Sequence, residues 1–109
     1  MKTVAPAPGR KVRGSTTGRP IMAALDLLGR RGTLRILWEL RGEALTFRAL
    51  AAAAELPPGT LNTRLKELRE AGIVGAEDGY ALTPLGRDLF DAMGPLMDWA
   101  EAWAKGKEG

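Results

Sequence analysis

Residues 57–72 read PPGTLNTRLKELREAG, and the polar side chains early in this run have the types and spacing to read a nucleic-acid base. Leu61, Leu65 and Leu68 fall at i, i+4 and i+7, which marks a helix with one apolar face. With that face inward, at 100° per residue, Asn62, Thr63 and Lys66 point outward and Thr60 lies near the front edge. Asparagine can hold adenine by two hydrogen bonds, and threonine can bond to a base or touch the thymine methyl. Lys66 suits a phosphate or a guanine. Arg64 lies on the flank, nearer the core, and suits a backbone phosphate. Thr and Asn are indifferent helix formers, so propensity does not explain them in the first two turns. Ahead of them stand Pro57, Pro58 and Gly59. A helix N-terminus leaves N–H groups for a phosphate, and Gly59 lets a backbone come close.

Other chemistries find little support. The chain has no Cys and no His, and Ser15 is its only serine. That removes disulfides, thiolate chemistry, zinc sites with Cys or His ligands and the usual nucleophile pairs. Paired carboxylates at helical spacing, Glu67 with Glu70 and Asp88 with Asp91, read as solvated charge. The expectation is a protein that is not an enzyme and needs no cofactor or metal.

With 109 residues, 45% hydrophobic and 27% charged, the composition is that of one globular domain. No apolar run approaches the roughly 18 residues that span a bilayer, and the N-terminus lacks the apolar core of a signal peptide, so a cytoplasmic location is expected. The net charge of +3 is unevenly placed. Lys2, Arg10, Lys11, Arg13 and Arg19 stand in the first 20 residues without an acid, whereas the remainder is slightly acidic. Residues 1–19 are rich in Pro, Gly and Thr, with Ser15 among them, and are expected to form a disordered basic arm. Arg10, Lys11, Arg13 and Arg19 would then meet a DNA backbone. A passive solubilising tail is the plainer alternative. The folded domain is expected over residues 20–105.

The elements that must position the reading helix follow from local signals. Pro20 suits a first helical turn, and Ile21, Leu25 and Leu28 give that helix an apolar face up to Gly29. Thr33 to Arg41 predicts a second helix, apolar nearly all round and therefore buried. Leu45 could start a very short strand. Thr46 is a good N-cap for a third helix carrying Phe47, Leu50, Ala51 and Ala54, with Arg48 near its start as a second phosphate candidate. After the reading helix, Ile73–Glu77 and Tyr80–Thr83 are β-prone, and Asp78-Gly79 between them signals a tight hairpin. Its tip, Glu77-Asp78-Gly79, is acidic and unsuited to a minor groove, where Arg is wanted. Thr83-Pro84 starts a last helix, kinked at Gly94-Pro95.

Helix, short turn, helix, then hairpin describes a mainly α protein with a small β-hairpin, a winged helix-turn-helix. In that motif the second helix of the pair enters the major groove. The last helix carries Leu85, Leu89, Ala92, Leu96, Trp99 and Trp103 at alternating steps of 4 and 3, with Met93 and Met97 beside them. So much apolar surface predicts a seam for a second copy. Folding back onto its own core is the alternative, and the Trp and Met residues could also wall a ligand pocket between subunits.

From Leu28 to Trp103 the chain resembles the HxlR-type winged-helix transcriptional regulators of bacteria, relatives of the MarR type. The resemblance is carried by LGRRGTLRILWEL (28–40), TFRAL (46–50), LPPGTLNTRLKELREAGIV (56–74), YALTPLG (80–86) and Trp99. It implies a homodimer on a roughly palindromic operator, more often a repressor, with first and last helices building the interface. Leu25, Leu85, Leu89, Met93, Leu96, Trp99 and Trp103 would then lie at that interface. It also puts Thr60, Asn62, Thr63 and Arg64 at recognition positions. The chain departs from the pattern at Arg31 and Gly32, where Lys-Trp is frequent, at Pro57 in place of a serine cap, and in its short acidic wing. Without cysteine, the thiol sensing of several members is excluded. A rival of another class is a winged-helix adaptor for proteins, with only non-specific DNA binding.

Overall fold

Pro20 opens the first helix as expected, and a computed structural model describes the chain from residue 19 to residue 108. The expected arm, with Arg10, Lys11 and Arg13, lies outside the described residues; Arg19 is the N-cap of α1 (Pro20–Leu28). The apolar residues of α1 divide between two faces. Ala23 and Leu27 are buried, while Ile21 and Leu25 are exposed.

Helix α2 (Thr33–Glu39) is shorter than expected and only half as buried. Ile36, Leu37 and the capping Leu40 fill the centre of the core, but Leu34 and Trp38 are exposed. A helix of two turns packed chiefly on α1 and on α3 (Phe47–Ala54) is covered mainly on those sides. Trp38 is partly sheltered by the Phe90 ring, 6.1 Å away between centroids, and by the Arg41 guanidinium 3.9 Å above it.

Thr46 caps α3 by accepting from the Ala49 N–H at 3.1 Å. The helix ends on Glu55 at φ 54°, a left-handed conformation that L side chains disfavour. Glu55→Gly should therefore stabilise the domain by about 0.5–1 kcal/mol. A thermal melt would show this as a rise of a few degrees; a fall would mean that the Arg35–Glu55 ion pair, 3.6 Å long, outweighs the backbone strain.

Helix α4 (Pro58–Glu70) buries Leu61, Leu65 and Leu68, the face that their spacing predicts. The chain then forms β1 (Val74–Gly75) and β2 (Ala81–Leu82), antiparallel, with Val74 opposite Leu82 and Gly75 opposite Ala81. Leu45 adds a one-residue third strand. It exchanges both backbone hydrogen bonds with Tyr80, at 3.0 and 2.7 Å. That exchange corrects the tight turn expected at Asp78-Gly79. The register is centred on Asp78, so residues 76–80 form the loop, because the Tyr80 N–H and C=O are committed to Leu45. Gly79 lies at φ 86°, and a Cβ there would stand 3.1 Å from the Leu45 carbonyl oxygen.

Thr83 closes the hairpin. Its hydroxyl accepts from the Gly86 N–H at 3.0 Å, capping α5 (Pro84–Ala92), and donates to the Gly72 carbonyl at 2.6 Å. The kink expected at Gly94-Pro95 is a break. Helix α5 ends at Met93 and α6 (Gly94–Glu108) begins afresh, Pro95 having no N–H to continue the ladder. Leu89, Phe90 and Met93 pack on the core, but α6 leaves it. Leu96, Trp99 and Trp103 are 61%, 59% and 56% exposed, and the two indole rings stack at 5.6 Å. Among the described residues, no helix is long and apolar enough to cross a membrane.

Candidate nucleic-acid interface

The anchored face of α4 fixes what its other face presents. With Leu61, Leu65 and Leu68 locked in the core, Asn62 and Lys66 are exposed, and Thr60 and Thr63 are half-buried beside them. The Thr63 hydroxyl donates to the Gly59 carbonyl one turn back, at 3.1 Å. Its proton is thus used within the helix, leaving a methyl group and an acceptor lone pair for an incoming group. Gly59 is exposed, and a Cβ on it would meet no atom within 4 Å, so the N-terminus of α4 is open to close approach. Arg48 is exposed at the start of α3.

Toward the hairpin, α4 forms one wall of a groove of about 770 Å³. Asn62, Lys66, Arg69 and Glu70 line it from the helix, and Gly75, Ala76, Glu77 and Tyr80 from the hairpin. Arg69 and Tyr80 are additions to the residues chosen from sequence. The signal for Arg69 was available, since Asn62, Lys66 and Arg69 recur at i, i+4 and i+7 on one edge of the helix. Tyr80 had no such signal. It stands here because its backbone pairs with Leu45 and its ring meets the edge of Phe47 at 6.4 Å. Glu77 and Asp78 are exposed and keep the tip acidic.

Arg64 is turned the other way. Its side chain is 17% exposed, and its Nε lies 3.2 Å from the Oε1 of Glu67. Glu67, expected as solvated charge, is buried at 2% exposure. The reason is a partner distant in sequence. Arg30, in the corner between α1 and α2, hydrogen-bonds through Nη1 to the Glu67 carboxylate and through Nη2 to Asp26 at 3.2 Å. Glu70, Asp88 and Asp91 are exposed as expected.

Residues 33–74, which are α2, α3, the turn, α4 and the start of the hairpin, match a family described as a helix-turn-helix domain. The fold is a winged helix-turn-helix. Within this winged helix, α3 and α4 are the helix pair, β1 and β2 the wing, and α1, α5 and α6 flank them. The chain is 36% identical over 107 residues to uncharacterized HTH-type transcriptional regulators of Mycobacterium tuberculosis and Mycobacterium bovis, the match covering 91% of this chain. It spans 65% of the length of those mycobacterial proteins. A third relative, an uncharacterized HTH-type transcriptional regulator of Methanocaldococcus jannaschii, is 27% identical over 93 residues, 79% of this chain and 87% of that protein.

Proposed function

We propose that this winged helix is a sequence-reading DNA-binding regulator of the HxlR type, acting in the cytoplasm as a homodimer on a palindromic operator, and as a repressor. One observation carries the reading. The solvent-facing surface of α4 combines an open N-terminus at Gly59 with Asn62, Thr63 and Lys66 on a helix whose back is locked into the core. A helix held in this way can enter a major groove with its first turns against base edges. Asn62 and Thr63 then read bases with Thr60 beside them, and Lys66, Arg48 and Arg69 take phosphates. The arm residues Arg10, Lys11, Arg13 and Arg19 add backbone charge. The names of the relatives support a regulator of transcription. The repressor role rests on the HxlR resemblance alone.

Selecting bound duplexes from a random pool tests this. The wild type should enrich a two-fold symmetric sequence with half-sites about one helical turn apart. Asn62→Ala should lose about 1–3 kcal/mol of discrimination at one base position in each half-site. A pool that stays random for the wild type would remove the reading. The acidic tip, Glu77 and Asp78, favours a second reading, an adaptor that binds another protein and touches DNA only weakly. That reading predicts sequence-indifferent binding that disappears near physiological salt.

A further inference from the structure

Glu67 is the one carboxylate of α4 that is buried, and DNA reading does not use it directly. It sits between two guanidinium groups. Arg30 hydrogen-bonds to it from the α1–α2 corner, whereas Arg64, in the preceding turn of α4, meets it as a charge contact with Nε 3.2 Å from Oε1 and no hydrogen bond between them. Arg30 also holds Asp26 of α1 at 3.2 Å. The four side chains, two acids and two bases, form a neutral set that pins α4 to the α1–α2 corner on the side away from the wing. Leu61, Leu65 and Leu68 hold α4 against the core along one face, and the Glu67 contacts add a polar anchor on its flank. A buried ion pair with defined geometry is suited to fix rotation, because removing one partner leaves the other buried and uncompensated.

We infer that Glu67 is a positioning residue for the reading helix, and that Arg64 is its inner counter-ion and not a phosphate ligand. With its guanidinium drawn back on Glu67, Arg64 does not lie along the edge formed by Asn62, Lys66 and Arg69, and it adds no released counterion on binding. The phosphate-facing flank of α4 is therefore the wing side. The Asp26–Arg30–Glu67 link also ties α1, a helix with exposed Ile21 and Leu25, to the angle at which α4 is presented.

The inference rests on the proposed DNA reading, and its test has one arm that needs DNA and one that does not. In the first, the affinity of the full chain for a mixed-sequence duplex is measured against salt for the wild type, Lys66→Ala and Arg64→Met, the last keeping the buried stem. Lys66→Ala should lower the slope of log K against log salt by about 0.9, the value for one lost phosphate contact, and Arg64→Met should leave it unchanged. An equal fall for Arg64→Met would overturn the assignment. In the second arm, amide hydrogen exchange is compared for Glu67→Gln and Glu70→Gln without DNA. Glu67→Gln should speed exchange in α4 and at the α1–α2 corner by tenfold or more, with the wing and α5 unaffected and Glu70→Gln silent. Uniform loss of protection across the domain, or none, would show that Glu67 does not position the helix. If the wild type binds no duplex, the DNA reading fails, and the exchange arm still decides the role of Glu67.

Discussion

Gly86→Ala should lower stability by about 3 kcal/mol, the upper part of the overpacking range. For a domain of this size that is on the order of 10–20 °C in Tm. Gly86 is the buried residue of α5, one turn after the Thr83 cap, and it lies flat on the backbone of Ile73. A Cβ there would sit 2.1 Å from the Ile73 carbonyl oxygen and 3.2 Å from its carbonyl carbon. The obstacle is backbone, so no rotamer change relieves it. The same carbonyl accepts from the Thr83 N–H at 3.0 Å, so pushing α5 away also strains the junction of wing and helix. Differential scanning calorimetry of the purified variant gives the answer. A melt within a degree or two of wild type would mean that α5 does not pack this closely.

Trp99→Ala combined with Trp103→Ala should dissociate the proposed homodimer, weakening it on the order of a hundredfold or more. Interface tryptophans commonly cost about 2 kcal/mol or more each on truncation, and tenfold in Kd corresponds to about 1.4 kcal/mol. The two rings stack on each other and are more than half exposed, and Leu96 extends the stripe one turn back. An unpartnered stripe of that kind is unusual on a lone surface helix. Ile21, Leu25 and Leu85 are exposed as well, at 60%, 55% and 57%, and would extend the covered area. Leu89 and Met93, expected in the same interface, pack on the core and contribute less. Sedimentation equilibrium should find the wild type dimeric at micromolar concentration and the double variant monomeric, with an unchanged circular dichroism spectrum. A monomeric wild type would leave α6 to some other partner.

The parts of the fold that sequence made legible are those fixed by near neighbours. Leu61, Leu65 and Leu68 declare their face by spacing, and Thr46 and Thr83 cap the helices that follow them. The parts that were not legible depend on residues far away in the chain. Glu67 looks solvated until Arg30 arrives from 37 residues upstream. The Asp78-Gly79 pair suggests a two-residue turn until Leu45 claims Tyr80. Helix α2 reads as buried all round because composition does not reveal that a two-turn helix has too few neighbours to cover Leu34 and Trp38. In the candidate interface, periodicity gave Asn62, Thr63 and Lys66 their outward direction and put Arg64 on the flank, nearer the core. Only the buried carboxylate shows why Arg64 turns away.

Sequence reading by α4 is tested most directly by fluorescence anisotropy at about 150 mM salt, where weak backbone attraction is largely screened. The full chain is titrated onto the duplex enriched from the random pool and onto the same duplex scrambled. A regulator of the proposed kind binds the first at least about a thousandfold more tightly than the second. Equal, weak and salt-sensitive binding to both would contradict it.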